Sequence, residues 1–257
     1  MKTAVRAAFV LFCLVSAAFA KSGFPLVWDY EGACAAVLEE AKSGKVPLES
    51  VDFRDLREKC GRAKWFWGRD ANAIDEFKAK MYEGSRAGNH ELVKESALAV
   101  LELNYLDMRA HLYLSVAMTE LGEDSTAAKW HRGFEIGLLR ALARSGSGKS
   151  CEEGQVVLDV EEEYFVFRVM GWTPAGQTLV EEEGHRCDRM KYRDGKGETR
   201  TIYFDVDIPF ENYARGAKPM PEGMLQLMQF PSTLNPEYYR HFAPMADGEI
   251  ASMKISD

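Results

Sequence analysis

The sequence predicts an α+β fold: TPR-like helical hairpins in the N-terminal part, packed on a small C-terminal antiparallel β-sheet. Three observations predict it. Up to about residue 145 the apolar residues recur at helical spacing. Beyond that point they gather in short β-branched and aromatic runs bounded by turn residues. Gly88 and Gly122 stand 34 positions apart, the period of a tetratricopeptide repeat, which is a helix-turn-helix unit. At 46% hydrophobic and 11% aromatic residues the chain can build a real core.

The first twenty residues, MKTAVRAAFVLFCLVSAAFA, read as a secretory signal peptide. Lys2 and Arg6 supply the positive start, Ala7 to Ala17 the apolar stretch, and Ala18-Phe19-Ala20 the cleavage signal. Cys13 sits within that stretch behind Val10-Leu11-Phe12, a poor lipoprotein box. The expected product is a free exported protein beginning at Lys21, periplasmic or extracellular. Its net charge moves from −8 to −10 once the leader is gone. Such an acidic chain repels nucleic acid and anionic lipid as partners. No segment after the leader is long and apolar enough to cross a membrane as a helix.

From Lys21 to residue 145 the reading is helical. Ala33, Val37, Leu38 and Ala41 form one stripe, closed by Gly44. Leu48 to Cys60 is a second, weaker helix stopped by Gly61. Four more follow, near Ala73–Arg86, Glu91–Leu103, Arg109–Leu121 and Ser125–Ala143. They resemble one and a half to two degenerate tetratricopeptide repeats, with Ala127 at the small-residue position and Tyr105 where proline is usual. Gly88 and Gly122 also suit ordinary turns between hairpin helices. Two repeats make only a short, shallow surface. This favours packing against the rest of the chain over gripping a long peptide.

Residues 146–210 read as the small antiparallel region. QVVLDV and EYFVFRVMG are strand-like by composition, and GQTLVEE is a shorter candidate. RCDRMKYRDGKGETRTIYFDVDIPF gives two strands around Asp194-Gly195, a hairpin turn pair. In its last strand Ile202, Phe204, Val206 and Ile208 share one face, opposite Tyr203, Asp205 and Asp207, and Pro209 ends it. Residues 211–257 form an extended tail rich in Pro and Met. Met220, Met224 and Met228 are spaced for one face of a short helix there.

Of five cysteines, four remain after the leader: Cys34, Cys60, Cys151 and Cys187. An even number in an exported chain points to disulfides. Among the three pairings, Cys34 with Cys60 and Cys151 with Cys187 keep each bond within one region. No pair has Cys-x-x-Cys spacing, which argues against zinc and thioredoxin-like chemistry.

Several segments together resemble a bacterial family catalogued as domain of unknown function 4919. They are the loop Ser145 to Ser150, Glu162-Glu163-Tyr164, Gly184-His185 with Asp188, and Tyr203-Phe204 with Val206. The resemblance covers about Ala73 to Phe210. Ser147 departs from the acidic residue common at its place in the loop. The family carries no established activity, so the resemblance implies a fold and transfers no catalytic residue.

The motif SGSGKS suggests a phosphate-gripping loop, but Ala143 replaces the first glycine. The order, helix before and strand after, is inverted as well. A helix end and crossover fits better, with Gly146 in the left-handed conformation and Lys149 solvated. His185, Asp188, Asp205 and Asp207 are candidates for an acid–base or metal cluster, since hard cations prefer carboxylates. The bland rival is the solvent face of a strand. Glu161 to Glu163 and Glu181 to Glu183 read as solvated acidic runs. No Gly-x-Ser-x-Gly elbow is present for a serine nucleophile. His90, His111 and His131 lie on helices, where packing or capping is the ordinary role for His111 and His131. Trp65, Phe66 and Trp67 form an aromatic group that either stacks a ligand or seals a helix junction.

The functional expectation is a non-enzymatic binding or scaffold protein of the bacterial envelope, contacting a protein or another envelope component. No cofactor is expected. The alternative is a metal-dependent hydrolase using the His185, Asp188, Asp205 and Asp207 group.

Overall fold

The structure, a computed structural model, describes residues 30–43 and 47–214. The signal peptide, Cys13, Gly44 and the Met- and Pro-rich residues beyond Ala214 lie outside the described residues. The helices are α1 (Tyr30–Lys42), α2 (Phe53–Arg62), α3 (Lys64–Trp67), α4 (Ala71–Ala87), α5 (His90–Leu103), α6 (Met108–Glu120) and α7 (Ser125–Ala143). Then come β1 (Gln155–Val156), α8 (Glu161–Met170), β2 (Thr173–Glu182), β3 (His185–Arg193), β4 (Thr199–Asp205) and α9 (Asp207–Ala214). The fold class is α+β. Among the described residues no helix is long and apolar enough to cross a membrane.

Short polar side chains start five of the helices. Asp52, Asp70, Asn89, Asp107 and Asp124 each accept a backbone N–H of the first turn, satisfying donors that have no partner within the helix. Gly88 and Gly122 end α4 and α6 with φ of 67°, a conformation a Cβ would strain. Helices α4 to α7 pack each on the next, and α2 with α1 packs beyond α7. Helix α6, packed between α5 and α7, is buried on every side from Met108 to Ala117.

The helix expected over Leu48–Cys60 divides into a 3-10 turn, Leu48–Ser50, and α2, capped by Asp52. Gly61 does not stop α2 but lies within it. A Cβ there would come 2.5 Å from Leu158 Cδ2, so glycine allows the two segments to approach closely. Disulfide Cys34–Cys60 ties α1 to α2, and Cys151–Cys187 ties the segment before β1 to β3.

The sheet order is β1-β4-β3-β2. It is mixed rather than purely antiparallel, because the two-residue β1 runs parallel to β4. The hairpin sits where Asp194-Gly195 predicts it. Its loop runs from 194 to 198, held by Asp194 Oδ1 accepting the N–H groups of Lys196 and Glu198. The largest correction is EYFVFRVMG, which forms α8 and not a strand. Tyr164 to Phe167, Val169 and Met170 are all buried. A helix wrapped by protein on all sides needs no polar face. Its apolar run then looks like that of a buried strand. The last strand ends at Asp205, so Pro209 lies early in α9 instead of ending β4.

Candidate functional site

The helical part and the sheet part meet at the N-terminus of α8, and that junction holds most of the buried charge. Glu161, Glu162 and Glu163 occupy the first turn of α8, where exposed N–H groups and the helix dipole favour carboxylates. They are not a solvated run. Arg57 of α2 grips Glu162 with two bonds, 2.7 and 2.8 Å, and donates a third to the Val156 carbonyl. Glu162 Oε2 also accepts the Leu158 N–H. Lys78 of α4 pairs with Asp107 at 2.7 Å and Glu161 at 2.5 Å. Arg109 donates to the Glu161 carbonyl and the Tyr82 hydroxyl.

Burial alone would lower the Lys78 ammonium, yet the Asp107 and Glu161 carboxylates outweigh it and leave it raised. For Asp107 burial would act upward, but Lys78 beside it holds the carboxyl below its usual range. Glu161 is likewise lowered: Lys78 and then Arg109 overcome its burial. At the rim, Arg69 pairs with Asp159 at 2.6 Å, and its guanidinium lies 3.9 Å from the centre of the Phe66 ring. Burial raises Asp159, and burial with the nearby Glu161 pushes Asp75 up to about 6. The cavity lined by Phe66, Lys78, Asp107, Arg109 and Glu161 has a volume of about 30 Å³. That is room for one or two waters and for no organic substrate.

A second polar chain runs from α8 into the sheet. The Tyr164 hydroxyl donates to Gln177 Oε1 at 2.7 Å, and Gln177 Nε2 donates to Asp188 Oδ2 at 2.6 Å. Asp188 in turn faces Glu163, whose side chain is fully buried. Among the described residues, neither Glu163 oxygen has a hydrogen-bonding partner apart from that carboxylate. Burial, and next the Asp188 charge, raise Glu163 well above the carboxylate range, which favours its protonated form beside Asp188. Burial also raises Asp188, against the hydrogen bonds it accepts, and pushes Tyr164 up to about 12.

Three of the four residues singled out for acid–base or metal chemistry meet. His185, Asp205 and Asp207 offer ligand atoms within 4.8 Å of one another. Asp188 points to the other face of the sheet, toward α8. Asp207 begins α9 rather than continuing the strand of Asp205, and its N–H donates to Asp205 Oδ1. Its own carboxylate accepts the Arg186 N–H at 3.1 Å and lies 3.2 Å from His185 Nδ1. Burial raises Asp205, mainly offset by the Asp207 N–H.

SGSGKS follows a helix, and the next helix starts only at Glu161. The left-handed residue is Gly148, with φ of 68°, not Gly146. Gly148 exchanges backbone hydrogen bonds with Glu153 and Tyr203, and Lys149 is exposed. The segment therefore touches β4 through one backbone hydrogen bond. His111 is buried, its Nδ1 2.9 Å from His131 Nδ1 and its Nε2 2.8 Å from the Tyr105 carbonyl. Burial lowers His131 to about 4 and His111 well below its ordinary value. Both rings therefore favour the neutral form, and His111 packs against the Phe134 ring. Of the aromatic group, Phe66 is buried in the core.

A family model described as a domain of unknown function (DUF4919) matches residues 68–215. The chain belongs to this family. No curated protein and no solved structure matches it. The match takes in Glu163, Tyr164 and Asp188, so two of the segments that carry the resemblance meet through Gln177.

Lys78, Asp107 and Arg109 escaped the sequence reading as site residues, and Glu163 was read as part of a solvated run though it is buried. The signal was there: three glutamates directly ahead of an apolar run mark a helix first turn.

Proposed function

We propose that the protein is an exported, non-enzymatic binding or scaffold protein of the bacterial envelope, working by contact with another protein. The contact surface is the open edge of β2. One observation carries this reading. β2 is a ten-residue strand at the end of the sheet, exposed at every position but Val180, and Leu179 is 51% exposed. Among the described residues no strand pairs with its outer edge. Such an edge presents a row of backbone donors and acceptors that another strand can join. The helical part, with its 34-residue period, supplies a rigid base, and the buried charges at the α8 junction lock that base to the sheet. Their cavity is too small for a substrate. The two disulfides fit an oxidising compartment outside the cytoplasm.

Cross-linking in intact cells followed by capture of the protein tests the proposal. The native chain retains a discrete partner. Leu179→Lys, which sets a charge on the edge strand, loses it without a change in thermal unfolding. Identical capture by both proteins, or no partner for either, counts against the reading.

The closeness of His185, Asp205 and Asp207 favours a second reading, a metal-assisted hydrolase. It competes with the internal bonds these groups already make. Calorimetry with a divalent cation decides it: equal heats for the native chain and for Asp205→Ala with Asp207→Ala remove it.

A further inference from the structure

The strand next to the open edge carries an unusual charge row. Along β3, Asp188, Met190 and Tyr192 are buried toward α8. Arg189, Lys191 and Arg193 alternate with them and stand on the opposite, outer face, with Lys191 and Arg193 exposed. The registers fix their neighbours. On the β2 side Arg189 faces Thr178, Lys191 faces Gly176 and Arg193 faces Thr173. On the β4 side the same three face Tyr203, Thr201 and Thr199. All six neighbours are uncharged. Among the described residues none of the three cations has an ion pair. This happens in a chain with 40 acidic and 32 basic residues, where a nearby carboxylate is the common case.

We infer that the segment that joins β2 is an acidic extended peptide of a partner protein, with carboxylates at alternate positions that this basic row reads. The inference rests on the edge reading proposed above. The geometry favours it in two ways. Cations at every second residue of a strand repeat at about 6.7 Å, the repeat of alternate side chains on a joining strand. A joining strand also lies two strand spacings from β3, about 10 Å. Residues of β2 between them on this face are small, Gly176 and Thr178, so the long Arg and Lys side chains pass over them. A backbone edge recruits a strand of any sequence, and the cation row selects an acidic one.

The probe is a labelled twelve-residue peptide alternating Glu with Thr and Val, beside the same peptide with Gln for Glu. Binding to the native chain is followed by fluorescence anisotropy at low and high salt. The Glu peptide binds, weakens with salt, and exceeds the Gln peptide at least tenfold. Arg189→Ala with Lys191→Ala lowers its affinity about tenfold, whereas Arg86→Ala on α4 leaves it unchanged. No binding, or equal binding of the two peptides, overturns the inference. So does binding untouched by the Arg189 and Lys191 changes. If Leu179→Lys abolishes binding while those changes do not, the edge reading stands and the charge reading falls. If the Arg189 and Lys191 changes weaken binding and Leu179→Lys does not, the edge reading fails. Two further outcomes also overturn it. One is a β2-dependent dimer in sedimentation, which makes a second copy the occupant. The other is stripe-dependent binding to phosphatidylglycerol vesicles without binding of the peptide.

Discussion

Replacing Glu163 by Gln removes one titrating proton and leaves the packing in place. Glu163 is fully buried, has Asp188 as its partner, and is held protonated by burial and by that neighbour. Gln has nearly the same shape and its amide N–H can donate to Asp188 in place of the carboxyl proton. The unfolded chain releases the Glu163 proton near pH 4.3, while the folded chain keeps it. The stability this group lends is therefore fully present below that value and drains away as pH rises toward the folded-state value. The slope is about 1.4 kcal/mol per pH unit. Over the pH range in which the folded group stays protonated the native chain loses stability at that slope, and Glu163→Gln loses none of it. Urea unfolding of both proteins at pH 5, 6 and 7, with disulfides intact, measures the difference. The gain of the variant over the native chain should grow steadily with pH. Parallel stability–pH curves would refute a protonated Glu163.

Lys78→Met leaves Asp107 and Glu161 buried without their shared cation and should cost about 3–5 kcal/mol in urea unfolding; a cost near zero removes the junction as a structural lock. His131 is depressed to about 4. The share of stability that depends on this ring should therefore be complete above pH 6.5 and fall as pH drops from there toward 4, by at most about 3 kcal/mol. NMR of the ring protons checks it, and a His131 that titrates near pH 6.5 contradicts the buried pair. Cys151→Ala with Cys187→Ala opens a loop of 36 residues and should lower stability by about 4 kcal/mol in the chain-entropy account. An unchanged urea midpoint would show the bond to be idle.

The helices were legible because their ends are marked. Asn89, Asp107 and Asp124 at the starts, and Gly88 and Gly122 at the ends, set boundaries that hold within a residue or two. The disulfides were legible because each pair lies within one structural region. The helix α8 was not, because burial on every side erases the polar face that periodicity needs. The buried glutamates were missed with it. A charge run looks solvated until the opposing cations are known, and those of Glu161 and Glu162 come from Lys78 and Arg57, far away in sequence. The basic row on β3 was hidden in an acidic total. Net charge excludes anionic partners only on average, and the alternation in CDRMKYRDG concentrates three cations on one face.

The central claim is that the open edge of β2 is the contact surface. A photo-activated cross-linking residue placed at Thr178 on β2, and separately at Glu76 on α4, tests it in living cells. Both positions are exposed and lie on different elements. The account predicts a discrete adduct from position 178, its loss when Leu179→Lys is added, and none from position 76. Adducts from 76 alone, or equal adducts from both positions, would contradict it.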